Sequence, residues 1–201
     1  MNLTALLQTL TALPGVSGRE ADACQPLLDL LKSYCPDAAQ IQGNLIGTFG
    51  KRQVGKPHVL LDAHFDQVGL IVTYITDEGF VKVGNLGGLD LRLFPAQHVI
   101  LHGKTDIPGV VCAMPPHLLS GNAEVADITE ILIDTGYSKA ELEQMLSLGD
   151  MISFDAPFQT LCGDRICSPA LDDRCGIAAI LYALSLLHAD DLPCSVSVLF
   201  S

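Results

Sequence analysis

Leu3, Leu6, Leu7, Leu10 and Leu13 recur at three- and four-residue spacing. That period predicts an amphipathic helix over residues 3–12, ended by Pro14 and Gly15. Ser17, with Glu20 three residues on, has the form of a capping box and predicts a second helix to about Tyr34. Its inner face reads as Ala23, Pro26, Leu27, Leu30 and Leu31. Pro26 lacks an amide hydrogen, so a kink or a break is expected there. From Ala39 the apolar positions fall into short runs that predict strands. These are Asn44–Phe49, His58–Ala63 and Val68–Thr76, the last closed by the turn Asp77-Glu78-Gly79 and continued by Phe80–Val83 as a hairpin. Gln97–His102, Val110–Ala113, Glu130–Asp134, Met151–Phe154 and Phe158–Cys162 follow. Ser138, with Glu141 three residues on, predicts a helix to about Leu148. Asp173–Ala189 is the longest helical segment. It is apolar on most sides and is predicted to be buried. Val196–Phe200 is apolar and β-rich, as expected of a central parallel strand.

The order of elements gives an α/β fold class. Residues 1–69 and 166–201 form one incomplete α/β domain, and residues 70–165 form a β-rich insertion with one clear helix. No internal repeat or low-complexity linker marks the joins.

Composition narrows the function. Eleven basic against 23 acidic residues give a net charge of −12. A nucleic-acid partner needs a basic surface, so none is expected. No apolar run reaches the roughly 20 residues that span a bilayer, and the first basic residue is Arg19, so neither a membrane span nor a signal peptide is read. The seven cysteines are odd in number and irregularly spaced, with no CxxC pair. They read as small core hydrophobes in a reducing cytoplasm.

Three segments carry candidate chemistry. In Asp62-Ala63-His64-Phe65-Asp66, extended backbone places His64 and Asp66 on one side. A neutral imidazole ligates zinc or cobalt well, and a carboxylate on its other nitrogen fixes the tautomer. Taken alone, HxD is better explained as a surface pair in a turn, because such pairs are common. In Leu171-Asp172-Asp173-Arg174, adjacent carboxylates at a helix start are explained by capping. The functional reading has one carboxylate facing metal, its neighbour supporting it, and Arg174 pairing with an acidic group. Leu86-Gly87-Gly88-Leu89-Asp90 reads as a turn. Cys162 and Cys167, with four residues between them, are read as core packing rather than metal binding, and the histidines at 58, 98, 102, 117 and 188 are expected to be structural or exposed. The motifs GxSxG, GxxxxGK[ST] and GxGxxG do not occur.

Taken in order, LPGVSGRE, LLDAHFDQVGLIV, NLGGLD, GVVCAMPPHLLS, ILIDTG, GDMISFD and ALDDRCGIAAIL resemble one family. The chain is similar to the M42 metallo-aminopeptidases, which include glutamyl aminopeptidases and TET-type peptidases. The resemblance implies a zinc-peptidase-like α/β/α catalytic domain with an inserted barrel-like dimerisation domain. It also implies a pair of divalent metals, zinc or cobalt, and removal of N-terminal residues from peptides by metal-activated water. Carried over, His64 and Asp172 are metal ligands, Asp172 bridges both ions, and Asp66 is the catalytic residue that orients His64. The Asp172–Asp173 bond is often cis in the family, and members assemble from dimers to dodecamers.

The departures are equally specific. Pro169 and Met114 stand where the family often has basic residues. The family places a Glu-Glu pair, base and ligand, directly after the strand matching SVSVLFS, with an Asp and a His ligand further on. None of these is among the 201 residues. The expectation is therefore a C-terminally truncated member, inactive as this polypeptide alone. The alternative is a non-catalytic oligomerisation or interaction module. Apolar surface is expected to be exposed along the strand at 196–200 and the helix at 173–189.

Overall fold

The computed structural model describes residues 2–52, 54–113 and 127–201. His117 and most of GVVCAMPPHLLS lie outside the described residues. The chain divides into two compact units, 1–67 with 158–201, and 68–157. The joins differ from the boundaries at 70 and 165 read from the sequence. The second moves to Pro157 because Gln159–Thr160 (β10) pairs with Ile166–Cys167 (β11) as a hairpin of the first unit.

The first unit is mixed α/β. Its sheet has the order β1-β2-β12-β3, formed by Ala39–Ile41 (β1), Asn44–Phe49 (β2), Ser195–Phe200 (β12) and His58–Ala63 (β3). β12 runs parallel to β3 and antiparallel to β2. It is therefore central, as its apolar run predicts, but in a mixed sheet. Val196, Val198 and Phe200 are buried in the core of this unit, so the exposed surface expected along the strand is not found. Exposed apolar positions lie on the other strands of the sheet, at Val59 and Leu60 on β3, Ile41 on β1 and Ile46 on β2.

Three α-helices pack in this unit. α1 (Leu3–Thr11) follows the predicted period and buries Leu6 and Leu10. α2 (Ala21–Lys32) carries Pro26 without breaking. Its inner face is Ala23, Cys24, Leu27, Leu28 and Leu31, one step round from the expected set, so the proline ring points to solvent. α4 (Leu171–Leu186) ends before the predicted Ala189 and buries one stripe, from Arg174 through Ile177, Ala178 and Leu181 to Leu184. Leu186 and the following Leu187 are exposed, so burial is one-sided rather than all-round. Leu10, Leu27, Leu45, Phe65, Val198 and Phe200 centre this core.

The second unit is a closed barrel, β4-β5-β8-β7-β6-β9. Its strands are Gly69–Ile75 (β4), Val81–Leu86 (β5), His98–His102 (β6), Asp106–Val111 (β7), Leu132–Asp134 (β8) and Met151–Phe154 (β9). Closure satisfies the strand edges within the unit, and alternation puts Val99, Leu101, Ile107, Val111, Ile133 and Ile152 inside. α3 (Lys139–Met145) starts as Ser138 and Glu141 predict: the Glu141 carboxylate accepts from the Ser138 amide at 2.9 Å and its hydroxyl at 2.6 Å. Gly79 closes the β4–β5 turn at φ +89, and a Cβ there would run into the Tyr137 carbonyl oxygen. Gly79→Ala is expected to cost the barrel about 1–3 kcal/mol through strain and overpacking. A lowered urea midpoint followed by circular dichroism checks this; an unchanged midpoint contradicts it.

Candidate functional site

The candidate site lies wholly within the first unit. β3 ends at Ala63, and the chain continues through His64-Phe65-Asp66. The strand alternation continues past β3: Phe65 turns into the core at 1% exposure while His64 and Asp66 stay accessible. Asp66 Oδ1 lies 3.0 Å from His64 Nδ1. The other ring nitrogen, Nε2, lies 3.1 Å from Asp172 Oδ1, across 108 positions of sequence. Burial pulls the His64 pKa down. The Asp172 hydrogen bond and the Asp66 charge outweigh it, so the imidazole sits above its usual value.

The start of α4 separates its two carboxylates into different tasks. Asp172 and Asp173 have non-helical backbone, and the peptide between them is cis. Asp173 Oδ1 accepts from the Gly176 amide at 3.0 Å, so Asp173 is the cap of the regular helix that follows. Asp172 is left with its side chain 97% exposed, facing His64. Ala170, just before, adopts the left-handed region at φ 59, which disfavours a residue with a Cβ.

Arg174 does not pair with an acidic side chain by hydrogen bond. It is fully buried and donates from Nε to the Phe65 carbonyl at 2.7 Å, and from Nη1 to Leu10 O at 2.5 Å and Leu13 O at 3.2 Å. The carbonyl of Phe65 lies between the two site residues His64 and Asp66. Burial pushes the Arg174 pKa down to about 10, with the Asp66 charge pulling against that shift.

Ser17 does not cap α2, contrary to the expectation from Ser-x-x-Glu. α2 begins at Ala21 and has no side-chain cap. Glu20 instead accepts from the Gly18 amide at 2.5 Å. The Ser17 hydroxyl donates to Asp66 Oδ2. Val16 and Gln67 form a parallel bridge that brings the two segments together. A cleft of about 470 Å³ beside them is lined by Gly18, Arg19, Glu20, Gln42, Phe65 and Asp66, among others.

Other candidates fall elsewhere. Gly87, at φ +83, packs its α-carbon face against Val68, and Asp90 caps the short helical turn Leu91–Leu93. His102 meets Asp106 across the β6–β7 ladder at 2.8 Å and Ser153 on β9 at 2.8 Å. The backbone of β6 is engaged by β7 and β9 on its two sides, so these contacts join three strands of the barrel wall. His58 bonds Ser197 at 2.9 Å, and His98 and His188 are exposed. Cys24 and Cys35 are buried as expected, but Cys162, Cys167 and Cys175 are exposed; all seven cysteines are free. No helix of the described residues is long and apolar enough to cross a membrane. Among the described residues, no group of three or more His, Cys, Asp or Glu side chains is placed to hold a metal.

The sequence profile described as M42 glutamyl aminopeptidase matches residues 43–201. The chain belongs to the M42 family. Among curated relatives, the lysyl aminopeptidase of Pyrococcus furiosus is 32% identical over 204 residues, covering 96% of this chain and 58% of its own length. Among solved structures, an aminopeptidase from the archaeon Desulfurococcus kamchatkensis superposes with TM-score 0.90 at 30% identity, covering 99% of this chain and 55% of that one. The TET1 peptidase of Pyrococcus horikoshii, described as assembling into a tetrahedron or a large octahedral shell, gives 0.86 at 32% identity. It covers 100% of this chain and 61% of its own. The chain therefore spans a little over half the length of the M42 relatives it matches.

Proposed function

We propose that these residues form one side of a dinuclear aminopeptidase site, with His64 and Asp172 as metal ligands and Asp66 orienting His64. The observation that carries this is the convergence of His64 Nε2 and Asp172 Oδ1 at 3.1 Å from two distant segments. The donor set fits: an imidazole and a carboxylate, both accessible, suit zinc or cobalt. Asp66 on Nδ1 is the outer partner that such a histidine ordinarily has. A divalent ion held there supplies Lewis acidity for hydrolysis of an N-terminal peptide bond.

The chain's own residues bind and orient. With the ring neutral, Asp66 would keep the proton on Nδ1, so that the Nε2 lone pair would face a cation in place of its present contact with Asp172. Asp173 fixes the helix from which Asp172 projects. Arg174 holds the peptide between His64 and Asp66. Two donors make an open, weak cation site. Among the described residues no further carboxylate is assigned here as a general base, and lacking such a base costs roughly 10²–10⁴ in rate. A polypeptide of these 201 residues alone is therefore proposed to be nearly inert.

Homo-oligomers, peptide substrates and a cytoplasmic setting belong to the same proposal. The assembling relative and the seven free cysteines support it. The test is hydrolysis of leucyl-, lysyl- and glutamyl-p-nitroanilide by the purified polypeptide with cobalt or zinc, beside His64→Ala. Background turnover by both proteins fits the account. Robust turnover by the parent polypeptide that His64→Ala leaves unchanged would overturn the site assignment.

A further inference from the structure

We propose that Ser17 is a positioning residue of this site: its hydroxyl fixes Asp66, which then holds His64 with Nε2 turned toward the cation. The proposal rests on the metal-site reading above and extends it by one residue.

The geometry is that of a relay with separate contacts at each end of one carboxylate. Asp66 Oδ1 meets His64 Nδ1 at 3.0 Å, and Oδ2 takes the Ser17 hydroxyl. Ser17 is itself tied to the backbone that carries Asp66. Its amide donates to the Gln67 carbonyl at 3.1 Å, and the Gln67 amide donates to the Gly15 carbonyl at 2.8 Å. Main-chain bonds on both sides fix the origin of the hydroxyl, and the χ1 rotation of Ser17 is the freedom that remains.

The Asp66 side chain is 38% exposed, so water competes for its oxygens. A hydroxyl delivered by the fold restricts the carboxylate to the rotation that keeps Oδ1 on the ring. The alternative acceptor for a ring proton is Asp172, whose side chain is 97% exposed and far more open to water. The better-held carboxylate therefore keeps the proton on Nδ1, which is the tautomer a metal-ligating Nε2 requires. α2 starts at Ala21 and does not use this hydroxyl, whose other acceptor, the Gln67 carbonyl, lies farther away at 3.4 Å.

The test has two readouts on Ser17→Ala and Ser17→Thr in the 201-residue polypeptide. The first is the ¹⁵N spectrum of His64 without added metal, at a pH where the ring is neutral. The parent and Ser17→Thr are expected to hold the Nδ1–H tautomer, and Ser17→Ala to move toward Nε2–H with its thermal midpoint unchanged. The second is cobalt affinity, expected to fall about tenfold in Ser17→Ala and to recover in Ser17→Thr. An unchanged tautomer in folded Ser17→Ala overturns the proposal, as does equal loss in Ser17→Thr. If Ser17 controls the tautomer but the parent binds no cobalt, the metal-site reading falls and the positioning of His64 by Ser17 stands.

Discussion

Arg174→Met lowers the stability of the first unit by about 2–4 kcal/mol. The methionine keeps the apolar stem of the side chain and removes the guanidinium. The carbonyls of Leu10, Leu13 and Phe65 then lose the guanidinium; Leu10 keeps the Leu13 amide at 3.2 Å and the Leu13 contact is only partly buried, so the Phe65 carbonyl carries the largest loss. Each buried acceptor left unpaired costs about 1–3 kcal/mol. The loss is offset in part because burying the charge is itself unfavourable, which is why its pKa is pushed down to about 10. Nη2 has no hydrogen-bond partner among the described residues. A lysine recovers part of the loss, since one ammonium cannot reach carbonyls in both directions that the planar fork serves. Gly15 matters for the same reason: a Cβ there would stand 2.7 Å from Nη2. Urea unfolding checks this, and a midpoint equal to the parent's for Arg174→Met would contradict the clamp.

Asp172→Ala has the opposite signature. The side chain is 97% exposed and contacts His64 at 3.1 Å, so the stability change is expected to stay within about 0.5 kcal/mol. Cobalt affinity is expected to fall by about two orders of magnitude, at or beyond the upper end of what losing even an outer partner of a ligand costs. His64→Ala should show the same split. Asp173→Ala should not: it removes the cap on the Gly176 amide, costing about 1 kcal/mol of stability, and leaves the Asp172 oxygen in place. Denaturant melts and cobalt titrations on the three variants check the pattern. Equal affinities for Asp172→Ala and Asp173→Ala would show that the assigned division between the two carboxylates is wrong.

Local signals were legible where local physics decides. The leucine period gave α1, Ser138 with Glu141 gave the start of α3, and Asp77-Glu78-Gly79 gave the β4–β5 turn. His64 with Asp66 was legible because strand alternation puts both on one side. What failed were choices made by distant partners. Ser-x-x-Glu at 17–20 has the letters of a capping box, but the bridge between Val16 and Gln67 carries Ser17 to Asp66 instead. Arg174 looked like half of an ion pair. It serves backbone carbonyls from α1, the loop after it and the turn at Phe65, which no spacing reveals. The strand at 196–200 looked exposed because its neighbours were unknown. β2 and β3 flank it, and the open apolar positions fall on its neighbours in the sheet, at Ile41, Ile46, Val59 and Leu60.

We propose that His64 and Asp172 hold one cation between them. The most direct measurement is a crystal structure of the polypeptide grown with cobalt or zinc, with the ion located by its anomalous scattering. The account predicts an ion about 2.0–2.2 Å from both His64 Nε2 and Asp172 Oδ1, with Asp66 still on Nδ1. Cations bound elsewhere on the acidic surface, with His64 and Asp172 still in contact with each other, would contradict it.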